Sequence, residues 1–345
     1  MSFGRQVTFA DNILILDGLT GTGKTLFAPL LASMEKVQLP RFEYMVEYLC
    51  IAASNHSMNE ETSKTLLNLL ADSKCYDGMI SRETNFRPKD LSSASSNRVL
   101  KKYIKQLFMS DGDAVLERKV KETPTLSFVT HQLFSCKKAL FNAFDQRVSI
   151  IEMVRHPYFL VEHWLSYQDR MGVHSRDLTL CGVHQGSAYP WFAEQWKDEY
   201  INSNDFERVL LSITRLMEPI YTHQVNQDEC TNTMVIPFEK FVLDPWVSLN
   251  EITLRFNLNP TSATKVVMHD QKVPRSTLND GPQKPIYKRY GVKKEEKNID
   301  DKTDYMNRLT LINDNANLYN ARPSIISEFM LCAKKYEDTF GLWFK

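Results

Sequence analysis

ILILDGLTGTGKTLFAPLLASM, residues Ile13–Met34, decides how the rest of the chain is read. Ile13–Asp17 is a short apolar, β-branched run suited to a buried strand, and Leu26–Met34 reads as a helix. Between them Gly18–Thr25 (GLTGTGKT) matches GxxxxGK[ST] in full. Gly18, Gly21 and Gly23 allow backbone N–H groups to converge on phosphate oxygens, and Lys24 adds a mobile positive charge. The helix beginning near Lys24 points its N-terminal dipole at the same anion, and Thr25 is placed to ligate magnesium or to hydrogen-bond a phosphate. A glycine-rich turn alone can be fortuitous. The strand before it and the helix after it make this one a phosphate loop, with Gly18, Thr20, Gly21, Thr22, Gly23, Lys24 and Thr25 as its binding residues. The loop leaves the nucleotide open, because such loops serve several chemistries on related sheets.

Working outward, Arg41 to about Phe108 is mainly helical in pattern, as in FEYMVEYLCIAA and NRVLKKYIKQLF, and is read as part of a helical insertion at about 41–123 beside the site. Two strand candidates follow, Thr125–Thr130 and Val148–Val154, separated by a helix over Cys136–Phe144 and followed by one from Tyr158 to Asp169. After an aromatic loop around Gly182–Trp191 come a helix over Phe206–Tyr221, a strand at Thr233–Pro237, a helix over Val247–Phe256 and a closing helix over Ser324–Tyr336. This alternation predicts a single α/β domain over residues 1–345, a P-loop three-layer fold with a central, mostly parallel sheet and right-handed crossovers. Gln271–Asp301, with Pro274, Pro282, Pro285 and five basic residues from Lys284 to Lys294, is expected to be a basic loop that orders on binding.

The 345 residues are 43% hydrophobic, enough for a large core, and their 42 basic and 42 acidic residues cancel. No global field draws the chain to nucleic acid or membrane, so an anion site must be local. The six cysteines show neither CxxC pairs nor metal-ligand spacing, as expected of reduced thiols and no metal site. The N-terminus lacks the apolar core of a signal peptide, and no run approaches the about 20 apolar residues of a membrane span. A cytoplasmic location is the expectation.

Two further stretches resemble the P-loop sulfotransferases. Pro124–Tyr167 is similar to the middle of that family, where a strand ending in Thr-His precedes a helix and a second strand ending in Arg-x-Pro; Thr130-His131 and Arg155-His156-Pro157 stand in those positions. Val235–Leu258 looks like the family's strand, turn and helix, carried by Phe238, Glu239, Asp244 and Pro245. The resemblance implies that 3′-phosphoadenosine 5′-phosphosulfate is the co-substrate. Its 5′ end would lie on Thr20–Thr25 and its 3′-phosphate near Arg155, with Arg275, Lys288 and Arg289 in reach. It also implies sulfuryl transfer to a hydroxyl or amine acceptor, a small molecule or glycan, with His131 as general base and Lys24 stabilising the leaving phosphate. His163 stands where the family has a serine and is assigned to a phosphate.

The sequence departs from the family at Leu19, which replaces the usual loop lysine, and at Val129, before Thr-His. Two other readings therefore stand beside it. One is a kinase or NTPase using ATP with magnesium, Lys24, Thr25 and a carboxylate such as Glu152. The other is a non-catalytic nucleotide-binding protein whose aromatic loop Ser187–Trp196 meets a partner. Residue by residue, His131 has the alternative of a strand-end histidine satisfied by a carbonyl, Arg155 that of an ion pair with Glu162, and Glu239 is read as loop-orienting.

Overall fold

A computed structural model describes residues 4–88, 90–226, 232–282 and 299–344. In chain order its strands are β1 (Asn12–Gly18), β2 (Arg41–Phe42), β3 (Thr125–Val129), β4 (Val148–Val154), β5 (Cys181–His184), β6 (Ser187–Pro190) and β7 (Thr233–Pro237). Five of them form one sheet in the order β2-β3-β1-β4-β7, every neighbouring pair parallel.

The helices are α1 (Lys24–Ala32), α2 (Tyr44–Ser54), α3 (Glu60–Met79), α4 (Leu100–Gln106), α5 (Asp113–Glu122), α6 (Lys137–Phe144) and α7 (Val161–Gln168). They continue with α8 (Lys197–Ile201), α9 (Asp205–Asn226), α10 (Phe238–Leu243), α11 (Pro245–Phe256), α12 (Ser262–Asp270), α13 (Asp301–Leu318) and α14 (Pro323–Phe340).

Strand alternation puts β1 between two apolar layers. Leu14 and Leu16 join a core that includes Leu26, Phe27, Leu30 and Leu31 of α1, whereas Ile13 and Ile15 join one built from α2, α3 and α6. A strand buried on both faces reads as a continuous apolar run, which is why ILILD carried no alternation. The α/β class with a parallel central sheet agrees with the sequence reading.

Three stretches carry structure that the sequence patterns did not specify. The stretch read as a helical insertion opens with β2, whose Arg41 and Phe42 pair with Phe128 and Val129 of β3; two residues are too few to show a period. The aromatic loop contains an antiparallel hairpin, β5–β6, turning at Gln185 and Gly186, both at positive φ. In the basic loop, Thr277–Asp280 forms a capped 3-10 turn and α13 begins at Asp301. Residues 283–298, and with them Lys288 and Arg289, lie outside the described residues. Among the described residues no helix is long and apolar enough to cross a membrane.

Gly18 closes β1 against β4. Its φ is +146°, and a Cβ there would stand 2.4 Å from the Met153 carbonyl oxygen. Gly18→Ala is therefore expected to lower the unfolding free energy by about 2–4 kcal/mol in urea titrations, and an unchanged midpoint would contradict this close approach.

Candidate active site

Because the sheet is parallel, β1, β3, β4 and β7 all end at one edge, where ligands of open α/β sheets bind. The residues that leave those ends are the Leu19–Gly23 turn, Thr130-His131, Arg155 and Phe238-Glu239. The order of strands reverses at β1, with β3 on one side and β4 on the other.

The turn is held from outside as well as within. Thr22 donates to the Leu19 carbonyl through both N (3.2 Å) and Oγ1 (2.8 Å). Trp164 Nε1 donates to the Thr20 carbonyl at 3.0 Å, Gln132 Nε2 to Thr20 Oγ1 at 3.2 Å, and Arg155 Nη1 to the Gly21 carbonyl at 3.2 Å. Gly23 has φ +98°, and a Cβ there would meet the Phe238 ring at 2.3 Å, so only glycine fits. With its carbonyls engaged, the turn delivers the orphan N–H groups of the first turn of α1, and a phosphate fits this donor set.

Lys24 is buried (6% exposed) and its ammonium donates to the carbonyls of Gly18 and Leu19, the latter at 3.0 Å. Burial lowers its pKa, an effect that Asp17, Glu152 and Glu47 oppose without cancelling. Asp17 and Glu152 are register partners on β1 and β4. Asp17 accepts hydrogen bonds from Thr130 Oγ1 (2.9 Å) and from the Leu133 N–H (2.7 Å), pinning the segment that carries His131. Glu152 is fully buried beside Asp17. Burial first, then the Asp17 charge, pushes its pKa well above the carboxylate range. A metal needs an ionised, reachable carboxylate. Asp17 is held by Thr130 and Leu133 and Glu152 is fully buried, so neither presents an open oxygen to a metal ion.

His131 is half-buried, and its Nδ1 lies 2.9 Å from Glu47 Oε1, a carboxylate on α2, rather than on a carbonyl. The ring stacks on Tyr44 and Phe42, each with centroids 6.1 Å away. Nε2 is the remaining nitrogen, the arrangement of a base fixed by an orienting acid.

Across the loop, the Arg155 guanidinium lies 4.6 Å from the Phe238 ring centroid, and Arg275 approaches the same ring at 5.7 Å. Glu162, the alternative partner read for Arg155, pairs with Arg308 at 3.2 Å. His163 packs where a Cβ on Gly21 would fall, 3.2 Å away. Burial, then Arg155 and Lys24, lowers its pKa to about 4, which leaves it neutral at pH 7. Glu239 accepts from the His156 N–H (2.9 Å) and the Tyr336 hydroxyl (2.6 Å), a loop-orienting role as expected.

The structure thus gathers Gly18, Thr20, Gly21, Thr22, Gly23, Lys24, Thr25, His131, Arg155, His163 and Arg275 at this sheet edge; Arg289 lies outside the described residues. Sequence reasoning missed Asp17, Glu47 and Trp164. The available signals were a carboxylate closing an apolar strand and a lone acid on the buried face of α2, beside Cys50 and Ile51.

No known family model matches the sequence, and no curated protein does. Among solved structures the chain is similar to the sulfotransferase domain of the Synechococcus PCC 7002 olefin synthase, at 12% identity and a TM-score of 0.43, covering 97% of this chain and 98% of that one. It is similar to the sulfotransferase domain from the curacin biosynthetic pathway at 14% identity and a TM-score of 0.39, covering 73% and 76%. It is also similar to sulfotransferase STF1 from Mycobacterium tuberculosis, at 10% identity and a TM-score of 0.36, covering 75% and 71%.

The Glu152 shift fixes a pH dependence. The unfolded chain releases this proton near the ordinary value of 4.5 and the folded chain only at higher pH, so folding loses stability as pH rises above 4.5. Glu152→Gln is expected to melt higher than wild type at pH 7 and level with it near pH 4. Equal melting temperatures at pH 7 would show that the carboxyl carries no such cost.

Proposed function

We propose that the chain is a sulfuryl transferase that uses 3′-phosphoadenosine 5′-phosphosulfate and a hydroxyl or amine acceptor. The observation that carries the proposal is the pair of strands flanking β1. β3 ends in a histidine held by a carboxylate and β4 in an arginine on the loop, so a base and an anion clamp address the phosphate loop from its two sides.

The co-substrate, when bound, supplies an activated sulfuryl group on a phosphate leaving group. The Leu19–Thr25 backbone and Lys24 receive the 5′ end. Lys24 exchanges the Gly18 and Leu19 carbonyls for an anion, and in this desolvated setting its charge counts for more than in water. Arg155 offers a forked donor for the 3′-phosphate, with Phe238 holding its plane and Arg275 beyond the same ring. As the acceptor oxygen bonds to sulfur and the sulfur–oxygen bond to the 5′-phosphate breaks, His131 Nε2 takes the acceptor proton, and Glu47 steadies the charged ring. Neither Asp17 nor Glu152 offers the magnesium-dependent kinase reading an open carboxylate, and a purely binding role leaves the His131–Glu47 pair without a task.

Turnover tests the proposal, with labelled donor, a panel of hydroxyl and amine acceptors, and metal chelated. His131→Ala is expected to lower kcat about 10²–10⁴-fold with donor affinity nearly unchanged. Glu47→Gln should fall in between, losing orientation while the base remains. Full turnover in His131→Ala would remove the base from the account.

A further inference from the structure

The sheet has a second end. β7 is its last strand, and the Ile150 N–H donates to the Asn232 carbonyl at 2.8 Å, which sets the parity of the ladder. With the register Ile151↔Met234 and Met153↔Ile236, residues 232, 234 and 236 turn their backbone groups to β4. Thr233 and Val235 turn theirs away from the sheet. The Thr233 carbonyl is met at 3.4 Å by Arg255 Nη1, which leaves the N–H and C=O of Val235 facing outward.

This edge does not lie on an open flank. Thr233, Val235 and Pro237 form the floor of a cavity of about 830 Å³, well within the range of ligand sites. One wall is α11, through Val247, Ser248 and Glu251, and the other is made by the end of α9 through His223, the end of α14 through Phe340, and Trp343 beyond it. A sheet edge between two walls admits one extended chain and excludes the broad face of another globular copy.

The charges on the walls narrow the occupant. Arg255 is paired with Glu251 at 2.8 Å. Lys240 and Asp244, both lining the cavity near the Pro237 end, make no ion pair among the described residues. An occupant that complements this groove places an acidic side chain at Lys240 and a basic one at Asp244, with an apolar side chain between them against Leu243 and Phe340.

We infer that the β7 groove binds an extended peptide segment of mixed charge, added to the sheet as a sixth strand through the Val235 backbone. Main-chain hydrogen bonds give such binding its affinity, and the wall side chains give its selectivity. The site is distinct from the phosphate loop and does not depend on the sulfuryl-transfer reading.

The test is selection of a random heptapeptide phage library on the immobilised full chain, followed by titration of the enriched peptides in solution. Expected are peptides with an apolar residue flanked by one acidic and one basic residue. They should bind at least tenfold more weakly to Val235→Pro, which removes the outward N–H at an edge position where proline is tolerated. Ser248→Trp fills the groove from α11 without touching β7 and should weaken binding equally, so a folding defect in the proline variant does not decide the outcome. Both variants should keep the far-ultraviolet circular dichroism of wild type. Failure to enrich any peptide, or peptides that bind both variants as well as wild type, overturns the inference. So does self-association of the chain that Ser248→Trp abolishes, since the occupant is then a second copy.

Discussion

The parallel pairing of β1 between β3 and β4 is the constraint on which the site depends. Parallel neighbours end at the same edge, and each leaves its ladder into a different loop. The turn after β1, the histidine after β3 and the arginine after β4 are therefore neighbours although they lie far apart along the chain. Antiparallel pairing of either neighbour would send its functional residue to the opposite edge. The fold fixes this pairing through continuous apolar strands buried on both faces, so the core that stabilises the domain also positions its chemistry.

Beneath the loop sits a small buried charge system, Lys24, Asp17, Glu152 and Glu47. An ion is costly in such a place unless it is paired and hydrogen-bonded. Asp17 satisfies that condition through Thr130 and Leu133, and in doing so ties β1 to the His131 segment. For Glu152, burial and then the Asp17 charge raise the pKa and so favour the neutral form. Lys24 meets the cost with two loop carbonyls, those of Gly18 and Leu19. Under the proposed function, the same burial strengthens the pull of the loop on a phosphate.

Much of this was legible in the sequence because local signals dominate there. ILILD followed by GLTGTGKT specifies strand, turn and helix without help from distant residues, and Val148–Val154 and Thr233–Pro237 coincide with β4 and β7 to the residue. The sequence did not disclose what depends on contacts across the chain. Glu47 reaches His131 over a separation of 84 residues, and Trp164 reaches Thr20 over 144, with no spacing rule to announce either. β2 is two residues long and exists only because β3 offers it an edge. Arg308, which pairs with Glu162, arrives from α13, 146 residues further along the chain, and no local pattern announces it.

The central claim is that this edge of the sheet binds a nucleotide carrying phosphates at both its 3′ and 5′ ends, without metal. Calorimetric titration of 3′-phosphoadenosine 5′-phosphate in chelator, set against ATP with magnesium, on wild type and on Arg155→Ala, tests it most directly. The account predicts tighter metal-free binding of the bisphosphate, weakened about 10–100-fold in Arg155→Ala, as loss of a charged hydrogen-bonding partner requires. Preference for magnesium-ATP, indifferent to Arg155, would contradict it.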